Sequence, residues 1–406
     1  MTPSGAKQRK PFWILPTIVF AQFAGTSIWF SGNAVLAELV QAGVAGSSIS
    51  GWVTGAVQMG FIAGTLIFAF LSISDRFAPR VVFLLCTLAG ALFNLSIVFA
   101  DTNLTGLLLL RLATGFFLAG IYPVGMKIAA GWYEKGLGNA LGFLIGALVL
   151  GTAFPHLLKG GFSAFSWQAV MVLSSGVCLF GGLMMALFVP DGPYLKTAPA
   201  FDPKAVMALF RCRPLRSAAF GYFGHMWELY TLWAFVPVFL SAYATQTLGA
   251  VLNVPVWSFS IIGVGCLGCI VGGIVSIRHG SALVATVQLA VSGLCCVLSP
   301  LIFALTPELF LLFMLLWGTA VVGDSPQFSA MVARSSPAEL VGSALTLVNC
   351  IGFSITVVSL AVVQWLATLL PVQYLFLVLA AGPVLGLSAM LPFTANGTTT
   401  GKTLPL

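Results

Sequence analysis

Charge is what this sequence has least of. Only 7% of its 406 residues are Asp, Glu, Lys or Arg, against the roughly 25% of a soluble globular domain. No soluble fold of that size covers itself with so little charge, and a mean hydropathy of +1.06 places the chain in a bilayer. The alternating ten-residue strands of a membrane β-barrel are missing, because the apolar runs are unbroken. A nucleophile set, a metal-ligand cluster and a Gly-rich phosphate loop are missing as well. Neither catalysis nor a metal or cofactor is therefore expected.

What is present is a series of apolar segments, each long enough to span a bilayer as a helix of about 20 residues. Their cores are 13–38, 51–72, 81–100, 105–127, 139–159 and 167–189, then 216–242, 256–276, 282–304, 308–331, 341–365 and 372–392. The expected architecture is an all-α membrane protein of twelve transmembrane helices in two six-helix bundles. The bundles are 1–189 and 216–392, with a cytoplasmic linker at 190–215 and a cytoplasmic tail at 393–406. The linker holds clustered charge and prolines, and Lys204 to Cys212 within it suits a short interfacial amphipathic helix. The first span is too long and too polar on one face for a cleaved signal peptide.

Lysine and arginine in short loops set the orientation. With the N-terminus inside, all of the 17 except Arg111 and Lys159 fall on the cytoplasmic side. Both termini are thus expected to be cytoplasmic, and the net charge of +7 reflects topology and anionic headgroups rather than nucleic-acid binding. Of the eight cysteines, all but Cys212 lie inside spans. Cys266 and Cys269 have C-x-x-C spacing without a nearby His or carboxylate, so packing is the expected role.

The halves repeat at an offset of about 200 residues. "AQFAGTSIW" (21–29) lies against "GYFGHMWEL" (221–229), "RLATGFFLAGIYP" (111–123) against "MLLWGTAVVGDSP" (314–326), and "GNALGF" (138–143) against "GSALTL" (342–347). Gly115 falls over Gly318 and Pro123 over Pro326. Six helices per half make both halves enter the membrane in the same sense, a parallel repeat around an axis along the membrane normal.

Across its whole length the sequence resembles the major facilitator superfamily. The loop "LSISDRFAPR" (71–80) is similar to that family's G-x-x-x-D-R-x-G-R loop: Asp75, Arg76 and Arg80 fit, while Leu71 and Ala78 replace glycines. The resemblance implies that these three act as a conformational latch. The matching loop "GIVSIRHGS" (273–281) keeps Gly273, Arg278 and Gly280. In "LLLLRLATGFFLAG" (107–120), Arg111 and Gly115 fit the R-x-x-x-G pattern of proton-coupled members. The Gly-Pro pair of many drug antiporters is absent from 142–158, which ranks uptake above drug export. There is also a faint likeness to small-anion permeases of the cyanate and nitrate type. The resemblance implies a monomeric secondary transporter of the bacterial inner-membrane type, working by alternating access. Its expected partners are a small-molecule substrate, protons and the lipid bilayer, and nucleic acid is not among them. The leading expectation is proton symport of a small anion; the alternatives are proton-driven efflux of an amphipathic metabolite or drug, and uncoupled uniport.

Ionisable residues near the bilayer centre are costly and normally face a partner or a wet cavity. His225 and Glu228 share a helix face at i and i+3, with Tyr222 one turn earlier, and can exchange a proton. Asp324 sits between Gly323 and Pro326, where a proline frees a carbonyl and opens the helix. Glu228, His225 and Asp324 are the expected proton-coupling residues. Arg111 offers a fork for a carboxylate or oxyanion, but pairing with Asp324 and snorkelling outward are open alternatives. Gln22, Thr26, Trp29 and Asn33 form a polar stripe on span one. With Arg111, Tyr122 and Tyr222, the residues Gln22, Trp29 and Asn33 make up the expected substrate contacts. His156 is expected at the interface, and Lys127 as a topogenic charge.

Overall fold

Long apolar stretches leave the backbone no water to bond with, so helices, which satisfy their own amides and carbonyls, are the natural outcome. A computed structural model of the chain describes residues 11–41, 43, 49–99, 103–133, 137–161, 165–195, 202, 207, 210–247 and 251–395. The terminal segments with Lys7, Arg9, Lys10 and Lys402 lie outside the described residues. So do Lys135, Lys196 and Lys204, and with them most of the expected interfacial helix.

Among the described residues every regular element is a helix. In chain order they are α1 (Ile14–Thr26), α2 (Ser31–Ala34), α3 (Leu36–Gln41), α4 (Ser50–Phe70), α5 (Ile73–Arg76), α6 (Pro79–Phe99), α7 (Leu104–Leu118), α8 (Tyr122–Trp132), α9 (Leu137–Gly161) and α10 (Trp167–Phe188). After the linker come α11 (Arg213–Gln246), α12 (Val254–Gly263), α13 (Gly265–His279), α14 (Ser281–Leu298), α15 (Pro307–Gly323), α16 (Ser325–Arg334), α17 (Val341–Leu366) and α18 (Ala381–Ala395), with 3-10 turns at Leu301–Ala304, Ala338–Leu340 and Val372–Ala380. Local sequence explains several starts. Asn103, Ser166 and Asn253 accept from the amides three residues ahead and cap α7, α10 and α12. Prolines occupy the first turn of α8, α11, α12, α15 and α16, where a missing N–H costs nothing.

Among the described residues ten helical stretches are long and apolar enough to cross a membrane. Two expected spans fall outside that set, for opposite reasons. The first is broken: α1 has only 13 residues before the chain leaves the helix at Ser27. The seventh, α11, runs for 34 residues but carries arginines at its start and His225 and Glu228 within. These are the two spans that the repeat sets against one another; both carry buried polar groups, but the break falls only in the first, and α11 runs unbroken through the matching positions.

The repeat is also visible in how helices touch. α4 packs on α7, and α12 and α13 pack on α15. A Cβ on Gly115 would strike the Val57 carbonyl, and one on Gly318 the Ile261 carbonyl; Gly64 meets Phe116 and Gly268 meets Thr319 in the same way. Each residue of the first pair of contacts lies about 200 positions before its counterpart in the second. Close backbone approach through small residues is the ordinary way membrane helices associate, and here the same glycine does it twice. The breaks match as well: the fourth span is interrupted between Leu118 and Tyr122 and the tenth at Asp324, each just before a proline.

Candidate functional site

The break in the first span organises one side of the site. Between α1 and α2 the chain turns, and Arg111 of α7 reaches the turn from beneath. Its Nη1 donates to the Ile28 carbonyl at 3.1 Å, to Ser31 Oγ at 3.2 Å and to Asn94 Oδ1 at 2.8 Å. Its Nη2 donates to the Trp29 carbonyl. Ser31 adds a bond of 2.6 Å to the same Asn94 oxygen, whose amide donates to Ser175 at 3.0 Å. Arg111 is completely buried, and among the described residues no carboxylate pairs with it. It pins a helix break, and of its three open readings neither pairing with Asp324 nor snorkelling outward is what the structure has.

Because α1 ends at Thr26, the polar stripe does not run along one continuous helix face. Its members are nevertheless buried together. Gln22 is fully buried against Gly125, and its amide has no hydrogen-bond partner among the described residues. Asn33 donates to Thr54 Oγ1 at 2.7 Å. Trp29 stacks on Tyr230 with ring centroids 5.7 Å apart and on Phe353 at 6.0 Å, and it meets Phe61 at 5.1 Å. Tyr122 approaches Phe61 at 6.5 Å. This aromatic cluster joins the first six expected spans to the last six.

On α11 the shared helix face divides. His225 Nδ1 lies 2.8 Å from Asp324 Oδ1, with both side chains only 1% exposed. The contact is an ion pair only when His225 is protonated, and His225 Nε2 has no partner among the described residues. Tyr222 leans on the same imidazole at 5.7 Å. Glu228 turns elsewhere. Its Oε1 accepts from Trp317 Nε1 at 2.7 Å, from Cys296 Sγ at 3.3 Å and from Ser292 Oγ. The expected direct exchange between His225 and Glu228 is therefore not the arrangement found. Residues three apart are about 60° apart around a helix, enough for each to meet a different neighbour.

The loop charges pair within the first half of the chain. Asp75 Oδ1 receives a 2.6 Å bond from Lys127, which also donates to the Ser74 carbonyl at 2.6 Å. Lys127, on α8, is thus the partner of the loop acid. Arg80 reaches Asp191 at 3.9 Å, and Arg76 makes no ion pair among the described residues. His156 is only 2% exposed inside α9, packed among neighbouring helices.

Sequence reasoning passed over Asn94, Gln58, Ser292, Trp317, Tyr230 and Phe353. Gln58 is fully buried on α4 with its amide unpartnered. A lone amide in an otherwise apolar span was the available signal for Gln58 and Asn94. The aromatics carried no such signal, since rings in spans are ordinary.

At one end of the molecule the halves touch through hydrogen bonds. Ser50 Oγ donates to the Ala234 carbonyl at 2.9 Å, the Gly51 amide to Gln364 Oε1 at 2.9 Å, and Asn253 Nδ2 to the Gly160 carbonyl at 3.0 Å. This end is opposite the one that carries Asp75, Lys127 and Arg334. In comparison with known proteins, a family model described as Major Facilitator Superfamily matches residues 14–359. No curated protein matches the chain.

Proposed function

This chain belongs to the major facilitator superfamily and is a secondary transporter of a small solute, and we propose that it couples solute movement to protons through His225 and Asp324. The observation that carries the reading is their buried 2.8 Å contact. It joins α11 to the hinge between α15 and α16, and among the described residues no lysine or arginine is paired with either. A proton arriving at such a pair breaks or remakes an interhelical tie, which is how protonation can bias one arrangement of two packed helices over another. Glu228 is the second carboxylate of the route, held by Trp317, Ser292 and Cys296 about 60° around α11 from His225.

With the basic-loop end taken as cytoplasmic, the hydrogen-bonded end is the outer one, and the conformation is closed to the outside. Two bundles, 1–189 and 216–392, would rock about the aromatic cluster between them. The small-anion expectation came from a faint likeness to small-anion permeases, and its candidate anion contact, Arg111, has both terminal nitrogens occupied at the α1 break. Support therefore moves to the amphipathic solute that was the alternative. Gln22, Trp29, Tyr122 and Tyr222 are the substrate contacts this reading keeps. The experiment is reconstitution in liposomes with an imposed pH gradient and a panel of radiolabelled solutes; the sign of accumulation gives the direction. Asp324→Asn should lower gradient-driven flux at least tenfold while leaving downhill exchange. Intact gradient-driven flux in that variant means the protons travel elsewhere.

A further inference from the structure

One face of α9 forms part of the seam between the halves. A Cβ on Gly146 would sit 2.8 Å from Cys266 Sγ, and a Cβ on Gly265 would sit 3.5 Å from Val149. Near the outer end of α9, a Cβ on Gly160 would strike the Val256 amide and Pro255, and the Gly160 carbonyl accepts from Asn253 Nδ2 at 3.0 Å. Val149, His156 and Gly160 follow one another by seven and four positions, so they share a helix face. His156 therefore lies between two points at which α9 touches α12 and α13 of the second half, one turn inside the outer contact. It is 2% exposed, and its Nε2 has no partner among the described residues. Thr152, one turn deeper, is fully buried with its hydroxyl equally unmet.

Among the described residues, the helices packed on α9 offer that imidazole no free carboxylate. α1, α2 and α12 contain no acidic or basic residue. On α13, Arg278 and His279 stand at the far end, with Cys266 and Cys269 nearer its start. α8 and α10 bring Tyr122, Cys178 and Lys127, the last paired with Asp75. α16 has Arg334 at its far end and Asp324 at its head, where His225 meets it. Lys159, on α9 itself, is paired with Glu38. An imidazolium between these helices would be a buried charge without a partner, which an apolar interior strongly disfavours, so the closed seam holds a neutral ring. When the halves rock and the seam parts, the same ring meets outer water, where an imidazole takes a proton at about pH 6.5. We propose that His156 is a proton-binding site of the outer gate. It is neutral while α9 lies against α12, takes a proton from the outer water when they part, and as imidazolium opposes closure until the proton leaves.

This site depends on the transporter reading only for the parting of the halves, and it lies apart from His225 and Asp324. Ser50→Cys puts a thiol at the outer contact with the Ala234 carbonyl. In right-side-out vesicles, its labelling by an impermeant maleimide is timed with His156 and with His156→Gln, each rate taken above that of the matching chain that keeps Ser50. The ratio of the two rates at one pH cancels the thiol's own titration. It should be close to unity at an outer pH of about 8 and about fivefold or higher at about 5.5, on either side of the imidazole range. Thr152→Val, which keeps the ring, should show the same rise in acid. A ratio that does not change with pH overturns the proposal. Should His156→Gln fail to fold, 15N NMR reads the ring directly. The chain has three histidines, and His225→Gln with His279→Gln leaves only this one, expected as imidazolium in acid and neutral at about pH 8; a ring neutral at both overturns the proposal equally. If no pH gradient drives solute in the parent but the ratio still rises in acid, coupling through His225 and Asp324 falls and the gate site stands. If gradients drive solute and the ratio is flat, the gate site falls and coupled transport stands.

Discussion

Replacing Arg111 by lysine separates two roles that the sequence left open. Lysine keeps the positive charge, so a residue that merely attracts an anion would tolerate it. The structure makes a different demand. Arg111 holds four acceptors at once, the carbonyls of Ile28 and Trp29 with Ser31 and Asn94. A compact ammonium cannot reproduce that planar fork, and it would reach about half of those acceptors. Hydrogen bonds to a charged donor contribute about 1.5–3 kcal/mol each, so losing two costs at first sight about 3–6 kcal/mol. Part of this is offset, because the one Ser31 O–H still has an acceptor in Asn94 Oδ1 at 2.6 Å or the Ile28 carbonyl at 3.0 Å. A net loss of about 2–4 kcal/mol is the expectation, large on the scale of single substitutions. The assay is thermal unfolding of purified Arg111→Lys in detergent beside transport kinetics in liposomes. Expected is a clear drop in unfolding temperature with KM little altered in whatever protein survives. A variant as stable as the parent whose only defect is a raised KM for an anion would refute the reasoning and return Arg111 to the substrate.

Other outcomes follow from the same geometry. Glu228→Gln keeps an oxygen that Trp317, Ser292 and Cys296 can still donate to; the protein should fold normally and lose gradient-driven flux several-fold, whereas Trp317→Phe, which removes one donor, should lower thermal stability by about 1–3 kcal/mol. Gly115→Leu or Gly318→Leu inserts a side chain where only a hydrogen fits against the Val57 or Ile261 carbonyl, so neither variant should give a monodisperse peak on size exclusion. Asp75→Asn breaks the 2.6 Å pair with Lys127; since the partners are only partly buried, stability should change by about 1 kcal/mol or less while maximal transport rate falls. Swapping the pair, Asp75→Lys with Lys127→Asp, should restore part of that rate if the contact is a latch, and a fully active Asp75→Asn protein would dispose of the latch. A cysteine pair at Gly51 and Gln364, adjacent through a 2.9 Å hydrogen bond, should crosslink and arrest transport.

Much of the fold was legible in advance for simple reasons. A stretch of about 20 apolar residues has few options in lipid other than a helix, so the spans could be read from composition. Glycine spacing and the prolines at 123 and 326 likewise announced close approaches and breaks, because both residues act on the backbone directly. The aligned glycines turned out to touch the aligned carbonyls. The break in the first span was not announced. "GTSIWFSGN" contains no proline, and the turn there is held by an arginine more than 75 residues away in the chain.

The sequence by itself determined an all-helical membrane chain, the internal repeat, and which few ionisable groups must be buried, since these depend on local hydropathy and backbone chemistry. Only the tertiary structure decided who meets whom. Glu228 and His225 share a helix face, yet one accepts from Trp317, Ser292 and Cys296 and the other lies against Asp324. Arg111, which could have faced an anion, an aspartate or the lipid surface, faces backbone carbonyls instead. A buried polar group must take a partner from whatever helices pack against it, and that packing is a property of all the spans together, outside the reach of any one stretch of sequence.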